Sequence, residues 1–324
     1  MSFRTLLSSL NTPPVVATAG LTVLSGLSMS APFASTLSMA ALQGLNTTAF
    51  LINVGAVSVP GRIDGQQDYD MRKGSLNPDK PGSTGQSETT PIGGNIDTYS
   101  PSRGRTLVSP SGWAFAIWGP IYIGELCFVA GQFLPGSGLE TVLPQITMPF
   151  VAANLFQSLW CASFRPYYEG WGLMVSPLML AGTAFSLSQV HTVACSAAAS
   201  GLGWFFLPLT MHFGWTTAAT LVNLNGSIAE YRSLSDSTVI AAGHASALAA
   251  SVLGVGLTLA QSSSGYGLTL AWALSACADG MRKRIRNTHD AMPRTLRTGA
   301  DVQSKLCAAG ALACCAASLY ISIV

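Results

Sequence analysis

The sequence predicts an all-α integral membrane protein, a polytopic bundle of about eight or nine transmembrane helices. Three observations lead to this fold class. Only 9% of the 324 residues are charged, whereas an ordinary soluble domain has about 25%. The mean hydropathy is +0.41, so the chain carries too few charges to cover the surface of a soluble protein. The charges also cluster, and long stretches between the clusters contain no Asp, Glu, Lys or Arg.

These charge-free stretches predict the individual transmembrane helices. Most of them reach or exceed the ~20 residues that a helix needs to cross hydrocarbon. No alternating strand pattern appears, and a backbone in lipid must satisfy its own hydrogen bonds, so the spans are predicted as helices. A further apolar segment, 14–30, is either a ninth span or a segment that does not cross. The eight other spans are predicted at 35–58, 112–133, 142–164, 171–196, 203–229, 237–261, 265–282 and 303–323.

The basic residues predict an orientation. Fifteen of the 16 Lys and Arg residues lie in or beside loops on one face of the predicted bundle, and the loops of the other face have none. Cytoplasmic loops carry such an excess of basic residues. We therefore expect loops 61–108 and 282–302 on the side equivalent to the cytoplasm, with the C-terminus on the opposite side. Arg4 joins the basic face if 14–30 also spans.

The chain divides into four predicted regions. Residues 1–60 form an N-terminal hydrophobic segment or hairpin, and their lack of acids is typical of an organelle-targeting leader or of a first hairpin with internal targeting information. Residues 61–108 form a polar loop with six acidic and six basic residues. Predicted helices occupy 109–230, and three further predicted transmembrane helices occupy 231–324; the family resemblance given below is what marks the first group as a core and the second as additions. The leader-like start predicts an organellar membrane, mitochondrial or plastid.

Three predicted spans carry polar and aromatic side chains at helical spacing, which lipid-facing helices avoid. Glu125 is the one acid deep in its span, and an ionisable residue inside a membrane is a functional candidate. A mostly apolar surface with a few polar points suits a rigid apolar ligand, whereas Trp, Asn and Gln can also serve interfaces and helix packing. The predicted ligand-binding residues are Phe115, Trp118, Tyr122, Glu125, Asn154, Gln157, Trp160, His212, Trp215 and Asn223.

Motifs for catalysis and metal binding do not occur in the sequence. It contains no P-loop, no Gly-x-Ser-x-Gly and no His-Glu-x-x-His motif. The seven cysteines are scattered, without a Cys-x-x-Cys pair. The net charge of +2 gives no reason to expect a nucleic-acid partner. We therefore expect a non-catalytic protein without a dedicated metal site.

Two stretches of the chain resemble a known family. Residues 110–122, PSGWAFAIWGPIY, resemble the start of the second helix of the TspO/MBR family, the tryptophan-rich sensory or translocator proteins. Residues 208–223, PLTMHFGWTTAATLVN, are similar to its fifth helix, and Asn154 with Trp160 is similar to its third-helix signature. The resemblance covers about 109–230, with extra C-terminal helices as in a longer, divergent branch. Gln157 stands where short members have Trp.

The resemblance implies a five-helix pocket for a tetrapyrrole, a sterol or a similar flat apolar compound, bound or carried without catalysis. The candidate cofactors are haem, another porphyrin or chlorophyll, or a bound lipid or sterol, and the partners are membrane lipids and an apolar small molecule. The alternative is an accessory structural subunit of a large organellar respiratory or photosynthetic complex, which the leader-like start and the added helices favour. A tetrapyrrole-degrading oxidase is a third alternative, without a supporting acid–base or nucleophile constellation.

Overall fold

The computed structural model describes residues 10–30, 34–58, 105–163, 168–197, 202–231, 233–287 and 292–323. Within these ranges the chain forms nine α-helices and no strand, which confirms the predicted all-α bundle. Short 3-10 turns at Gly112–Ile117 and Gly170–Met174 lead into the third and fifth helices. The helices are α1 (Pro13–Met29), α2 (Met39–Ser58), α3 (Trp118–Gly131), α4 (Leu143–Ala162), α5 (Val175–Ala197), α6 (Gly203–Glu230), α7 (Asp236–Ala260), α8 (Ser264–Asn287) and α9 (Arg294–Ile323).

Several of these helices are long and apolar enough to cross a membrane. Among the described residues, five segments meet this measure: Met39–Val57, Gly112–Gly131, Gly170–Ser196, Asp236–Ala260 and Arg294–Ile323. The other helices are α1, which is shorter, and α4, α6 and α8, which carry more polar or charged side chains. Large apolar side chains also face outward, as contact with lipid requires; Val252 and Leu312, for example, are well exposed. The protein is an integral membrane protein.

Helix α6 lies at the centre of the bundle. It packs against α3 and α5 on one side and against α7 and α8 on the other, while α9 covers α7 and α8. Helix α2 packs on α4, and α4 packs on α5. The bundle therefore consists of a five-helix core, α2 to α6, and three added helices, α7 to α9, with α6 shared between the two sets of contacts.

Helix α1 lies at the periphery, where it packs on α4 and α5 through side chains such as Val16. Its 17 residues are shorter than a full span, so whether the 14–30 segment crosses the membrane stays a prediction. Residues 1–9 and 59–104 lie outside the described ranges. The predictions about a leader and about most of the polar loop 61–108 therefore stay predictions.

Candidate functional site

The aromatic side chains predicted on α3 and α6 lie side by side. Trp118 stacks on Tyr122, one turn further along α3, with ring centroids 5.4 Å apart. Trp215 of α6 meets Trp118 edge-on at 6.1 Å and Phe115 at 5.7 Å. Phe115 is 45% exposed and Trp215 only 3%, so these four rings lead from the surface into the core. They offer flat apolar faces of the kind to which ring compounds bind.

A buried, hydrogen-bonded pair of titratable side chains lies next to these rings. His212 Nδ1 is 2.6 Å from Glu125 Oε1, and the side chains are 1% and 0% exposed. The imidazole centroid is 5.6 Å from that of Trp118 and 6.3 Å from that of Tyr122. The remaining polar atoms, His212 Nε2 and Glu125 Oε2, have no hydrogen-bond partner among the described residues. Buried polar atoms are nearly always paired, so two unpaired atoms at one place mark a candidate binding site.

Helices α3 and α6 approach closely at this point because Gly124 has no side chain. A methyl group there would lie 2.0 Å from Cγ of Pro208, too close for any real contact. Gly124 precedes Glu125, and Pro208 lies about one turn before His212, so the same close approach brings the carboxylate to the imidazole. Two residues that the sequence predicts separately therefore form one buried pair.

Helices α2 and α4 add amide side chains to the same region. Gln157 Nε2 donates a hydrogen bond to the Tyr122 hydroxyl at 2.9 Å, and Gln157 Oε1 has no partner in the described part of the chain. Asn53 Nδ2 of α2 donates to Asn154 Oδ1 at 3.0 Å, and both side chains are buried. We call this four-helix set the central site: Asn53, Phe115, Trp118, Tyr122, Glu125, Asn154, Gln157, His212 and Trp215.

The other two predicted residues form an adjoining pair. Trp160 Nε1 donates to Asn223 Oδ1 at 3.4 Å, and the Ser176 hydroxyl donates to the same oxygen at 2.8 Å. Asn223 lies eight residues beyond Trp215 on α6, which is about 12 Å along the helix axis. The predicted residues thus all lie on α3, α4, α6 or the 3-10 turn before α3, but this pair stands apart from the central site and ties α4 and α5 to α6.

Asn53 is a site residue that the sequence reasoning missed. Its span, 35–58, carried no recognised motif. The signal that identifies it is a pair of amides seven residues apart, Asn46 and Asn53, on one face of a helix without charges. Asn46 Nδ2 donates to Gln132 Oε1 at 3.0 Å and Thr147 Oγ1 at 3.2 Å, so this amide face of α2 is turned towards α3 and α4.

The segment before α3 is attached to the added helices. Asp279 of α8 accepts hydrogen bonds from the Ser111 hydroxyl at 2.7 Å and from Trp113 Nε1 at 2.9 Å, and it pairs with Lys283 at 2.7 Å. Trp272 Nε1, also on α8, donates to the Ala114 carbonyl at 3.0 Å. These bonds fix the 3-10 turn that carries Phe115 and ends at Trp118. The sequence reasoning did not connect α8 with the site.

Two buried or half-buried arginine side chains attach the first residues of this segment. Arg284 Nη1 of α8 donates to the Thr106 carbonyl at 2.5 Å. Arg105 donates through Nε and Nη2 to Asp236 at 3.1 and 2.9 Å, and through Nη2 to the Leu234 carbonyl at 2.7 Å, just before α7. We call residues 105–117 the clamped segment. Its contacts join the charged ends of α7 and α8 to the outer edge of the central site.

A family model described as a TSPO-like protein matches residues 84–289, nearly two thirds of the chain. The chain belongs to this family. The match begins before the clamped segment and extends through α8, so it includes α7 and α8 as well as α3 to α6. The chain has no significant match to a curated protein or to a solved structure.

This family membership confirms the resemblance found in the sequence and extends its range. The resemblance covered about 109–230, whereas the match continues past α6 for nearly 60 residues. Two of the helices counted as additional, α7 and α8, therefore lie within the residues that the family model matches, and α9 lies beyond them. The hydrogen bonds between α8 and the clamped segment give a physical reason why the matched residues extend as far as α8.

Proposed function

We propose that this TSPO-like protein binds or carries a flat apolar ring compound at the central site, without changing it covalently. A tetrapyrrole is the first candidate and a sterol the second. The observation that carries the proposal is the set of four aromatic rings from the 3-10 turn, α3 and α6 above a buried polar pair. Flat aromatic faces with a few directed polar groups are the usual lining of a site for rigid apolar ligands.

The exposure of the rings supports an entry route. Phe115 is 45% exposed and Trp118 is half-buried, whereas Trp215 and His212 are buried. A ring compound that stacks on the outer pair therefore moves inward along Trp118 towards the polar atoms. The ring centroids are 5.4 to 6.1 Å apart, so the rings already contact one another. A ligand ring can enter between them only if Trp118 or Phe115 changes its side-chain rotamer.

The kind of membrane and the orientation of the protein in it are also part of the proposal. We propose an organellar membrane, mitochondrial or plastid, because the first 60 residues contain no acid and resemble targeting sequences. We propose that the clamped segment, with loops 61–108 and 282–302, faces the side equivalent to the cytoplasm. The excess of basic residues on that face supports this orientation.

The test is a titration of the detergent-solubilised protein with protoporphyrin, followed by quenching of tryptophan fluorescence. The double variant W118F/W215F is compared with W171F/W204F, whose tryptophans are exposed at 59% and 75% and lie outside the central site. We expect saturable binding that weakens about tenfold in the first variant and is unchanged in the second, because each Phe offers a smaller ring face than Trp and no indole N–H. Equal affinities in both variants would show that the ring binds elsewhere.

A further inference from the structure

The end of α8 and the start of α9 carry an excess of positive charge. Residues 279–305 contain seven Lys and Arg but only three Asp and Glu, a formal charge of +4, whereas the whole chain has +2. The predicted spans end at 282 on α8 and begin at 303 on α9, so most of this charge lies just outside the hydrocarbon. Lipid headgroups lie at the same level of the membrane.

Part of this charge is already neutralised within the protein. Lys283 pairs with Asp279 at 2.7 Å on α8, and Lys305 pairs with Asp301 at 2.7 Å on α9. These two carboxylates are the only ones on the described lengths of α8 and α9. Each is therefore already bound to a lysine.

Three exposed arginines of these helices have no carboxylate partner among the described residues: Arg282, Arg286 and Arg294. Arg282 Nε donates to the Ser304 hydroxyl of α9 at 3.3 Å, which joins the two helices here. Arg286 lies one turn further along α8, and like charges four residues apart repel each other. The helix dipole does not explain Arg282, which precedes the last turn of α8, or Arg294, which lies at the positive end of α9.

Towards the membrane centre the same two helices present apolar side chains to lipid. Leu268 of α8 is 53% exposed and Leu312 of α9 is 73% exposed. An anion beside the three arginines therefore has an apolar protein surface next to it on the hydrocarbon side. A phospholipid uses both features, because its phosphate meets the arginines and its acyl chains meet the apolar side chains. A small soluble anion uses the arginines alone.

We propose that Arg282, Arg286 and Arg294 form a site for the phosphate of an anionic phospholipid, such as phosphatidylglycerol. A planar guanidinium group donates two parallel hydrogen bonds to phosphate oxygens, and basic side chains at the end of a transmembrane helix attract anionic headgroups. The bound phosphate also offsets the repulsion between Arg282 and Arg286. This lipid site lies apart from the central site and does not depend on the proposed function.

Native mass spectrometry of the full chain in detergent measures the affinity for the first bound lipid. The probes are palmitoyl-oleoyl phosphatidylglycerol and palmitoyl-oleoyl phosphatidylcholine, which share their chains and their phosphate and differ in net charge. We expect phosphatidylglycerol to bind at least about tenfold more tightly, because each arginine near an anionic headgroup contributes about a factor of five.

Substitutions of single charges identify the arginines responsible. Arg286→Gln and Lys305→Gln each remove one positive charge from the same end of the bundle, but Lys305 is already paired with Asp301. Arg286→Gln should weaken the binding of phosphatidylglycerol about fivefold and R286Q/R294Q about 25-fold, whereas Lys305→Gln should change it by less than about twofold. The arginines are exposed and Gln is a good helix former, so the far-ultraviolet circular dichroism of each variant should match that of the wild-type protein.

Three results would overturn the lipid site. Equal affinities for the two lipids would show that the arginines do not select an anionic headgroup. Equal losses in Arg286→Gln and Lys305→Gln would show that the attraction comes from the total charge of this end of the bundle. Glycerol phosphate in excess should displace little phosphatidylglycerol, and displacement of most of it would identify a site for a soluble phosphate instead. None of these results changes the expected titration with protoporphyrin, so the proposed function is tested separately.

Discussion

Replacing Gly280 with Ala tests whether α8 holds the clamped segment. The new methyl group would lie 2.1 Å from the Ser109 carbonyl oxygen and 3.2 Å from the Ser111 nitrogen, both backbone atoms that cannot rotate away. The segment must then move from α8 by roughly 1 Å to restore a normal contact. That movement stretches the hydrogen bond from the Ser111 N–H to the Ala276 carbonyl, which is 3.0 Å long.

The expected cost follows from three contributions. Overpacking a close contact costs about 1–3 kcal/mol, and loss of one buried backbone hydrogen bond costs about 1 kcal/mol. The higher helix propensity of Ala offsets about 1 kcal/mol. Gly280→Ala should therefore lower the free energy of unfolding by about 1–3 kcal/mol. Gly256→Ala in α7 is the control, because a methyl group there meets no atom within 4 Å; it should raise that free energy by up to about 1 kcal/mol.

The free energy of unfolding of both variants is measured in mixed micelles with a rising fraction of sodium dodecyl sulfate. Loss of helix is followed by far-ultraviolet circular dichroism. The two changes are chemically identical and differ in surroundings, so their opposite signs are the diagnostic result. If Gly280→Ala is as stable as the wild-type protein while the control behaves as expected, the segment does not lie against α8 as described here.

Three further predictions concern other parts of the molecule. Asn46→Ala should lower the free energy of unfolding by about 1–3 kcal/mol, because it leaves buried Gln132 Oε1 without its donor, whereas Ser28→Ala on exposed α1 should change it little; equal effects would contradict the amide contact. A tag after Val324 should be cleaved from the side opposite to the 282–302 loop in sealed vesicles, and cleavage from the same side would refute the predicted orientation. In a native gel of the solubilised source membrane the protein should migrate alone or as a small oligomer; migration with a megadalton assembly would instead favour the complex-subunit alternative.

The helices were largely predictable because a lipid environment imposes a simple rule. The predicted span 203–229 matches α6 at Gly203–Glu230, and the predicted span 142–164 matches α4 at Leu143–Ala162. The rule failed at the helix ends, where α8 continues to Asn287 and α9 begins at Arg294 rather than at 303. Absence of charge marks the part of a helix in hydrocarbon, whereas its backbone hydrogen bonds continue into the charged layer outside.

The site was predictable within a helix and not between helices. Helical spacing placed Phe115, Trp118, Tyr122 and Glu125 on one stripe, and the aromatic contacts lie along it. The partner of Glu125 depends on the axial register of α3 against α6, which Gly124 sets through a contact that no periodicity encodes. The role of Asn53 was missed for the same reason, because its hydrogen-bond partner, Asn154, lies on α4.

The clamped segment links the added helices to the ligand site through a short path. Asp279 holds Ser111 and Trp113, Trp272 holds the Ala114 carbonyl, and Phe115 follows directly in the chain. A shift of α8 therefore moves the outer edge of the aromatic group, whereas Glu125 and His212 stay fixed by the contact between α3 and α6. It follows that changes in α8 alter how readily a ring compound enters and leaves the proposed site. Gly280→Ala should thus change the rates at which protoporphyrin binds and dissociates, measured by stopped-flow tryptophan quenching, whereas Gly256→Ala should leave both rates unchanged. Unchanged rates in both variants would show that α8 does not act on the aromatic group.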